Sequence, residues 1–186
     1  MDKEFDKIQY ADDDVTPLRR LVQMRIPSLM IGLVLGILLS FVTSRFERVL
    51  SENIKIAFFI PFIVYMADAV GTQTQNIYAR DLRTGHASFK KYLIKEGMLG
   101  IILGIVSSMA VALITAVWFA SWDLTLAISL AMFGAIAVSP LIALLVVELF
   151  ELERTDPAVG AGPIATVIQD TLSVLIFGVI ASAVIL

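Results

Sequence analysis

The stretch PAVGAGPIATVIQDTLSVLIFGVIASAVIL, residues 157–186, is thirty residues long and carries a single charge, on Asp170. As a helix it would extend roughly 20 Å before Asp170 and roughly 24 Å after it. A hydrocarbon core is about 30 Å thick, so Asp170 should lie near the middle of a membrane. A carboxylate there costs at least about 2.5–3.5 kcal/mol, and such residues usually mark ion or substrate paths. The stretch therefore predicts a membrane helix that carries a cation site.

The composition of the whole chain supports the same class of protein. Of its 186 residues, 58% are hydrophobic and the mean hydropathy is +0.87, against about 45–50% apolar residues in soluble domains. There is no cysteine, which excludes a thiolate metal site, and the one histidine, His86, cannot make a zinc centre by itself. The net charge of −3 gives no reason to expect nucleic acid as a partner. The first 25 residues are charged and lack an apolar core, so no cleaved signal peptide is expected.

Five apolar segments predict an all-α integral membrane protein, because an apolar segment that crosses lipid must be helical. Residues 1–24 are polar and acidic, and we expect them to form a short cytoplasmic segment that is disordered or amphipathic, or alternatively a cation sensor. Residues 25–186 should form the transmembrane domain. The expected spans are 26–44, 56–79, 97–122, 124–147 and 157–186.

The distribution of basic residues predicts the orientation. Five spans place the termini on opposite sides, and the side of the N-terminus holds eleven Lys and Arg residues against three on the other. Basic residues are more frequent in cytoplasmic loops. We therefore expect a multi-pass protein of the cell membrane with a cytoplasmic N-terminus, an external C-terminus, and Trp118 and Trp122 at the outer interface.

Four polar residues of the last span share a helical face, because Thr166, Gln169, Asp170 and Ser173 are spaced i, i+3, i+4 and i+7. This face should meet water or protein rather than lipid. One interpretation is a hydrogen-bonding seam between helices. The second interpretation is a conduction site, and the charge of Asp170 favours it.

The start of the last span adds further pore-lining residues. Gly160 and Gly162 would let another backbone approach closely, and Pro163 frees a carbonyl that could face an ion or its waters. The alternative is a simple kink in helix packing. Asp156 before Pro157 is typical of an N-cap, and it could also add negative charge at the cytoplasmic mouth.

The second span is polar in its second half. Asp68, Thr72 and Gln73 belong to a run in which six of nine residues are polar. We expect this half-helix to be buried or wet and to contribute pore-lining residues. A frayed cytoplasmic helix end is the alternative for the residues closest to Arg80.

Other acidic residues near the cytoplasmic ends are expected to be ordinary surface groups. Glu148, Glu151 and Glu153 should form a solvated face. Lys95 and Glu96 should form an interfacial start of the third span.

Four sequence pieces, taken in order over residues 25–186, together resemble the transmembrane domain of the MgtE family of magnesium channels, which is related to the solute carrier 41 transporters. They are Gly71-Thr72-Gln73; Ala79-Arg80-Asp81-Leu82 with Thr84-Gly85; Lys95-Glu96 with Gly97, Gly100 and Gly104; and Asp156-Pro157-Ala158 followed by Gly162-Pro163 and Asp170.

The resemblance implies a homodimer with one pore on its two-fold axis. Asp170 of both subunits would hold a hydrated Mg²⁺, with Asp156 and Gly162 nearer the cytoplasmic mouth. The chain departs from the family where Gly-Gly-Asn is replaced by Ala67-Asp68-Ala69. Typical members also carry cytoplasmic N and CBS domains that sense magnesium. We expect these to be missing here, which makes a separate regulatory subunit a partner to look for.

The available ligands suit a hard divalent cation, because oxygen donors are present and thiols are not. Mg²⁺ is often held by one or two carboxylates with waters retained. A membrane potential contributes about 4.6 kcal/mol per 100 mV to entry of a divalent ion, so no pump is needed. We expect a dimeric channel or facilitator for Mg²⁺, with Mn²⁺ or Co²⁺ as further substrates and no cofactor.

Two other functions are open from the sequence. One is an exchanger coupled to Na⁺ or H⁺, with Asp68 as a second charge site. The other is an enzyme, an intramembrane aspartyl protease using Asp68 and Asp170. Its usual Tyr-Asp and Gly-x-Gly-Asp contexts are absent, so an enzyme is not expected.

Overall fold

The computed structural model describes residues 11–154 and 156–186, and these residues form helices joined by short turns and loops. Predictions that involve residues 1–10, including Lys3 and Lys7, lie outside this part of the chain. The helices are α1 (Leu18–Ser44), α2 (Glu47–Glu52), α3 (Ile54–Ala57), α4 (Ile60–Arg83), α5 (Phe89–Phe119), α6 (Trp122–Leu152) and α7 (Pro157–Ile185).

Within the described residues, five helical segments are long and apolar enough to cross a membrane, which confirms the predicted all-α class with five spans. They are α1, the segment Ile54–Arg83, α5, α6 and α7. Several of them are longer than their apolar stretches. α1 begins at Leu18, so the last seven residues of the predicted N-terminal segment are helical. Such extensions fit a bilayer, whose headgroup regions bring its total thickness to about 40–45 Å.

Two short helices that the sequence did not predict connect α1 to α4. They form a cap on one end of α7, where the Phe46 ring packs against Gly178 and Val49 is buried. The Asn53 side chain accepts a hydrogen bond from the backbone N–H of Lys55 at 3.2 Å and starts α3. Hydropathy alone could not reveal them, because each is shorter than two turns.

α6 is the centre of the bundle. Of its most apolar 18 residues 61% are buried, against 6% for α1, although the two helices are similarly apolar. α4, α5 and α7 pack on α6, whereas α1 packs mainly on α7. The contact with α5 is close because a Cβ at Gly100 would lie 2.6 Å from the Ala137 carbonyl oxygen. Small residues at such contacts are typical of membrane helices.

The helix order defines two ends of the bundle. α4 and α6 finish where α5 and α7 begin, and we call this the Asp156 end. α5 and α6 meet at the opposite end, the Trp122 end, through a turn in which Ala120 has a φ of 49°. Trp118 and Trp122 are both exposed there.

Candidate cation site

The polar residues of α7 divide into two pairs with different surroundings. Gln169 and Ser173 are each only 2% exposed, whereas Thr166 and Asp170 are half-buried. Each pair has a spacing of four residues, so its members lie one above the other on the helix. The structure therefore places Gln169 and Ser173 within the helix bundle, as in the seam interpretation, and leaves Thr166 and Asp170 on a more open side.

Asp170 lies beside a second carboxylate, that of Asp68 on α4. Thr166 Oγ1 donates a hydrogen bond to Asp68 Oδ1 at 3.0 Å and joins α7 to α4. Thr166 lies one turn before Asp170 on α7, so this bond brings the Asp68 carboxylate next to that of Asp170, and the two like charges repel. Within residues 11–154 and 156–186, no group donates a hydrogen bond to the Asp170 side chain or forms an ion pair with it. We call Asp68, Thr166 and Asp170 the Asp170 cluster.

A buried junction of three helices lies next to this cluster. The Ser139 hydroxyl of α6 shares its one proton between two acceptors, the Ala67 carbonyl of α4 and, at 3.2 Å, Gln169 Oε1 of α7. The Gln169 amide also covers Gly71, and a Cβ added there would lie 2.5 Å from Ser139 Oγ. A side chain at position 71 would thus force the helices apart. Neither Ser139 nor this role of Gly71 was predicted from the sequence.

Polar residues of α4 continue from Asp68 towards the Asp156 end. Thr72 lies one turn after Asp68 and is exposed, as is Gln73. Gln75 reaches α7, where its Nε2 would lie 3.5 Å from a Cβ at Gly162. The structure brings Asp68 and Thr166 together but gives no hydrogen bond between Asp170 and Thr72 or Gln73 among the described residues.

Asp156 is the N-cap of α7, as predicted. Its Oδ1 accepts a hydrogen bond from the Ala158 N–H at 3.0 Å, and its Oδ2 accepts one from the Ala11 N–H at 2.8 Å. It forms part of the wall of a cavity of about 440 Å³ between the ends of α4 and α7. Both oxygens of this buried side chain therefore already have donors.

The surroundings of Pro163 and Gly160 within one chain come from other segments. Pro163 cannot donate to the Val159 carbonyl. The Ser28 hydroxyl of α1 lies 3.3 Å from that oxygen but only 3.0 Å from the Arg25 carbonyl of its own helix, so its one proton is shared between two acceptors. A role of the freed carbonyl towards an ion stays a prediction. Gly160 faces the Phe150 ring rather than a backbone. Sequence alone could not identify these neighbours, because they come from other helices.

A second set of polar contacts joins α4 to α5 and α6 nearer the Asp156 end. In each contact a hydroxyl on one helix donates to a carboxylate on another. We call this set the hydroxyl–carboxylate network. It consists of Thr74 Oγ1 to Glu96 Oε2 at 2.6 Å, Tyr78 OH to Glu148 Oε2 at 2.5 Å, and Tyr92 OH to Asp81 Oδ2.

This network corrects two predictions. Glu96 is only 7% exposed, and Glu148 is half-buried, so neither is an ordinary surface group. The signal that could have indicated the network is the spacing of Thr74 and Tyr78, which are four residues apart and lie on one face of α4.

The described residues contain no group of three or more His, Asp or Glu side chains that could enclose a metal ion. The Asp170 cluster supplies two carboxylates from one chain. That set suits a cation that keeps part of its water shell, since Mg²⁺ dehydrates reluctantly and often uses only one or two carboxylates.

Comparison with known proteins gives consistent matches. The model of the MgtE family, described as "Divalent cation transporter", matches residues 60–180. The chain is 25% identical to "Magnesium transporter MgtE" of Bacillus subtilis over 98% of its own length and 42% of the relative. It is 32% identical to the protein of the same name from Enterococcus faecalis, over 85% of the chain and 36% of the relative. The chain thus spans about two fifths of these relatives.

Proposed function

The chain belongs to the MgtE family of divalent cation transporters, and from this premise we propose that it is a channel or facilitator for hydrated Mg²⁺. The observation that carries the proposal is Asp170, a carboxylate near the middle of α7 that has no hydrogen-bond donor among the described residues. Members of this family are transporters and not enzymes, which removes the aspartyl protease alternative.

The charge of the Asp170 cluster supports a divalent cation as the substrate. Two carboxylates repel each other and are costly inside a membrane unless a positive charge lies near them. None of the ion pairs in the described part of the chain supplies that charge. A divalent cation would balance both carboxylates and could retain several waters.

The exposed polar residues of α4 support a homodimer. Thr72 and Gln73 are exposed in the single chain, and they would be poorly placed against lipid. A second copy, or a water-filled pore between two copies, would cover them. In the proposed dimer the two Asp170 clusters face a pore on the two-fold axis, and the pore continues towards Gly162 and Asp156.

The arrangement of basic residues supports a cytoplasmic location for the Asp156 end. Of the twelve Lys and Arg residues in the described part of the chain, nine lie in the segments at this end, and such an excess is typical of the cytoplasmic side. The protein would then lie in the cell membrane, with Mg²⁺ entering from the Trp122 end under the membrane potential.

The proposal is tested by cation uptake into proteoliposomes for the wild type, Asp170→Ala and Asp170→Asn, with Mg²⁺, Mn²⁺, Co²⁺ and Ca²⁺ supplied in turn. Both variants should reduce uptake to the level of protein-free liposomes, because the charge that attracts the ion is lost. Asp123→Asn is a matched control, since Asp123 is exposed at the start of α6. Wild-type rates in Asp170→Ala would overturn the proposal.

A cation exchanger coupled to Na⁺ or H⁺ is the second candidate function, and the observation that favours it is the second carboxylate, Asp68, beside Asp170. The same proteoliposomes separate the two functions when the Na⁺ and pH gradients are removed one at a time. A channel should keep transporting Mg²⁺ under an imposed membrane potential alone. Uptake that stops when either gradient is removed would identify the exchanger.

A further inference from the structure

The buried junction of Ser139, Gln169 and Gly71 has a direct connection to both carboxylates of the Asp170 cluster. We propose that Ser139 and Gln169 are positioning residues that fix the separation of Asp68 and Asp170, and through it the preference among divalent cations. This inference rests on the proposed transport function and identifies what sets the selectivity of its site.

The first step is the position of the two bonds of Ser139. Its hydroxyl donates to the Ala67 carbonyl, and Ala67 directly precedes Asp68. The same hydroxyl lies 3.2 Å from Gln169 Oε1, and Gln169 directly precedes Asp170. Because a serine has one hydroxyl proton, that proton is shared between the two acceptors. One side chain of α6 therefore holds both carboxylate-bearing helices, each at the residue next to its carboxylate.

The second step is the rigidity of the junction. Ser139 and Gln169 are 1% and 2% exposed, so neither bond can be exchanged for water. Gly71 has no side chain, and the Gln169 amide lies against its backbone. The three helices consequently meet with little freedom to slide, and a shift of α7 along α4 would break the bonds at Ser139.

The third step is the choice of residue type. An apolar residue of similar size would contribute at least as much hydrophobic stabilisation at this position as the buried glutamine does. Buried polar groups are best attested as devices that fix one register between helices. Here the fixed register is that of α4 against α7, and the residues whose positions depend on it are Asp68 and Asp170.

The fourth step connects register to ion selectivity. Mg²⁺ requires near-octahedral oxygen ligands at about 2.0–2.1 Å, whereas Ca²⁺ accepts six to eight more flexible ligands at about 2.3–2.6 Å. Carboxylates held at one separation discriminate between such ions. Carboxylates that can move relative to each other adapt to the larger ion, so loss of the junction should weaken discrimination against Ca²⁺.

The test uses the full chain in proteoliposomes and compares wild type, Ser139→Ala, Gln169→Met and the double variant. The readout is the ratio of half-saturating concentrations for Ca²⁺ and Mg²⁺, which a purely structural role would not change. Thr171→Val is the matched control, because Thr171 follows Asp170 directly but, among the described residues, its side chain bonds only to Val167 O of its own helix, at 2.7 Å. Size-exclusion chromatography and thermal unfolding in detergent verify folding.

We expect each single variant to shift the ratio about fivefold in favour of Ca²⁺. The double variant should resemble Ser139→Ala, because that change already removes the contact with Gln169 and residues in contact are not additive. Thr171→Val should keep the wild-type ratio. Ser139→Cys, which retains the shape and a weak donor, should shift the ratio in the same direction by less and carries the test if Ser139→Ala does not fold.

Two outcomes separate failure of this inference from failure of the proposed function. Folded variants that transport with the wild-type ratio overturn the positioning role and leave the transport function intact. A wild-type protein that neither transports a divalent cation nor binds Mn²⁺, as followed by the electron paramagnetic resonance of the ion, overturns the transport function and this inference with it.

Discussion

The Asp170 cluster and the hydroxyl–carboxylate network are built from similar residues, but their carboxylates have different hydrogen-bond partners. In the network, Glu96, Glu148 and Asp81 each accept a hydrogen bond from a hydroxyl on another helix. In the cluster, Asp68 accepts one from Thr166, but Asp170 accepts none from the described residues. The two regions therefore differ in whether each carboxylate already has a donor.

This difference indicates how a carboxylate near a membrane is assigned a role. A buried acceptor with a good donor is satisfied and ties helices together, which is a structural role. A carboxylate without a donor is costly unless another positive or polar partner arrives. The contrast can be tested from either side, by removing a donor from the network or a charge from the cluster.

The largest expected effect on stability comes from Thr74→Val. The change keeps the shape of the side chain but removes the donor to Glu96, a buried carboxylate on α5. Leaving a buried acceptor without its donor costs about 1–3 kcal/mol. Reversible unfolding in mixed detergent micelles should show a loss of this size, while the Ca²⁺ to Mg²⁺ selectivity ratio stays at the wild-type value.

Thr115→Val is the control for this change. Thr115 is equally buried, but in the described part of the chain its hydroxyl bonds only to carbonyls of its own helix, the nearer being Val111 O at 2.8 Å. Its replacement should cost much less. Equal losses of unfolding free energy for the two variants would mean that the bond to Glu96 stabilises the protein no more than a bond within one helix.

The next effect in size is expected on cation affinity, from Asp68→Asn. Asparagine keeps an oxygen that can accept from Thr166, so the bond between α4 and α7 can persist. The loss of one of two charges should raise the half-saturating Mg²⁺ concentration about tenfold, equivalent to about 1.4 kcal/mol. Stability should not fall, because the repulsion of Asp170 is relieved at the same time.

Concentration-dependent uptake measures the Asp68→Asn effect, and Asp123→Asn again serves as the exposed control. An unchanged half-saturating concentration would show that Asp68 takes no part in attracting the ion. It would then belong with the structural carboxylates of the network.

The features that sequence could predict depend on one segment at a time. The five spans follow from hydropathy, and the role of Asp156 follows from the Asp-Pro pair that starts α7. Asp170 stands out because it is the single charge in thirty residues. None of these inferences needs knowledge of a neighbouring helix.

The features that sequence missed depend on contacts between segments. The stripe of α7 divides because Gln169 meets Ser139 of α6, whereas Thr166 meets Asp68 of α4. Ser139 gave no signal, since a lone serine beside a proline fits any membrane helix. The sequence indicates a surface position for Glu96, whereas in the structure Thr74 of α4 donates a hydrogen bond to its carboxylate.

The smallest expected effect comes from Tyr78→Phe, which removes the hydroxyl that donates to Glu148 at 2.5 Å. The ring should stay in place, packed 4.7 Å from the Tyr92 ring between their centroids. Glu148 is half-buried near the end of α6, so water can replace the lost donor. The expected loss is about 0.6 kcal/mol, the average for hydrogen bonds between membrane helices.

Unfolding in the same micelles measures this loss, with Tyr65→Phe as the control because Tyr65 is 66% exposed. The informative result is which of the two variants, Thr74→Val or Tyr78→Phe, loses more free energy of unfolding. A Tyr78→Phe loss as large as that of Thr74→Val would show that burial of the carboxylate does not set the cost of losing its donor. Burial would then no longer support the conclusion that a half-buried carboxylate without a donor among the described residues, such as Asp170, needs a cation.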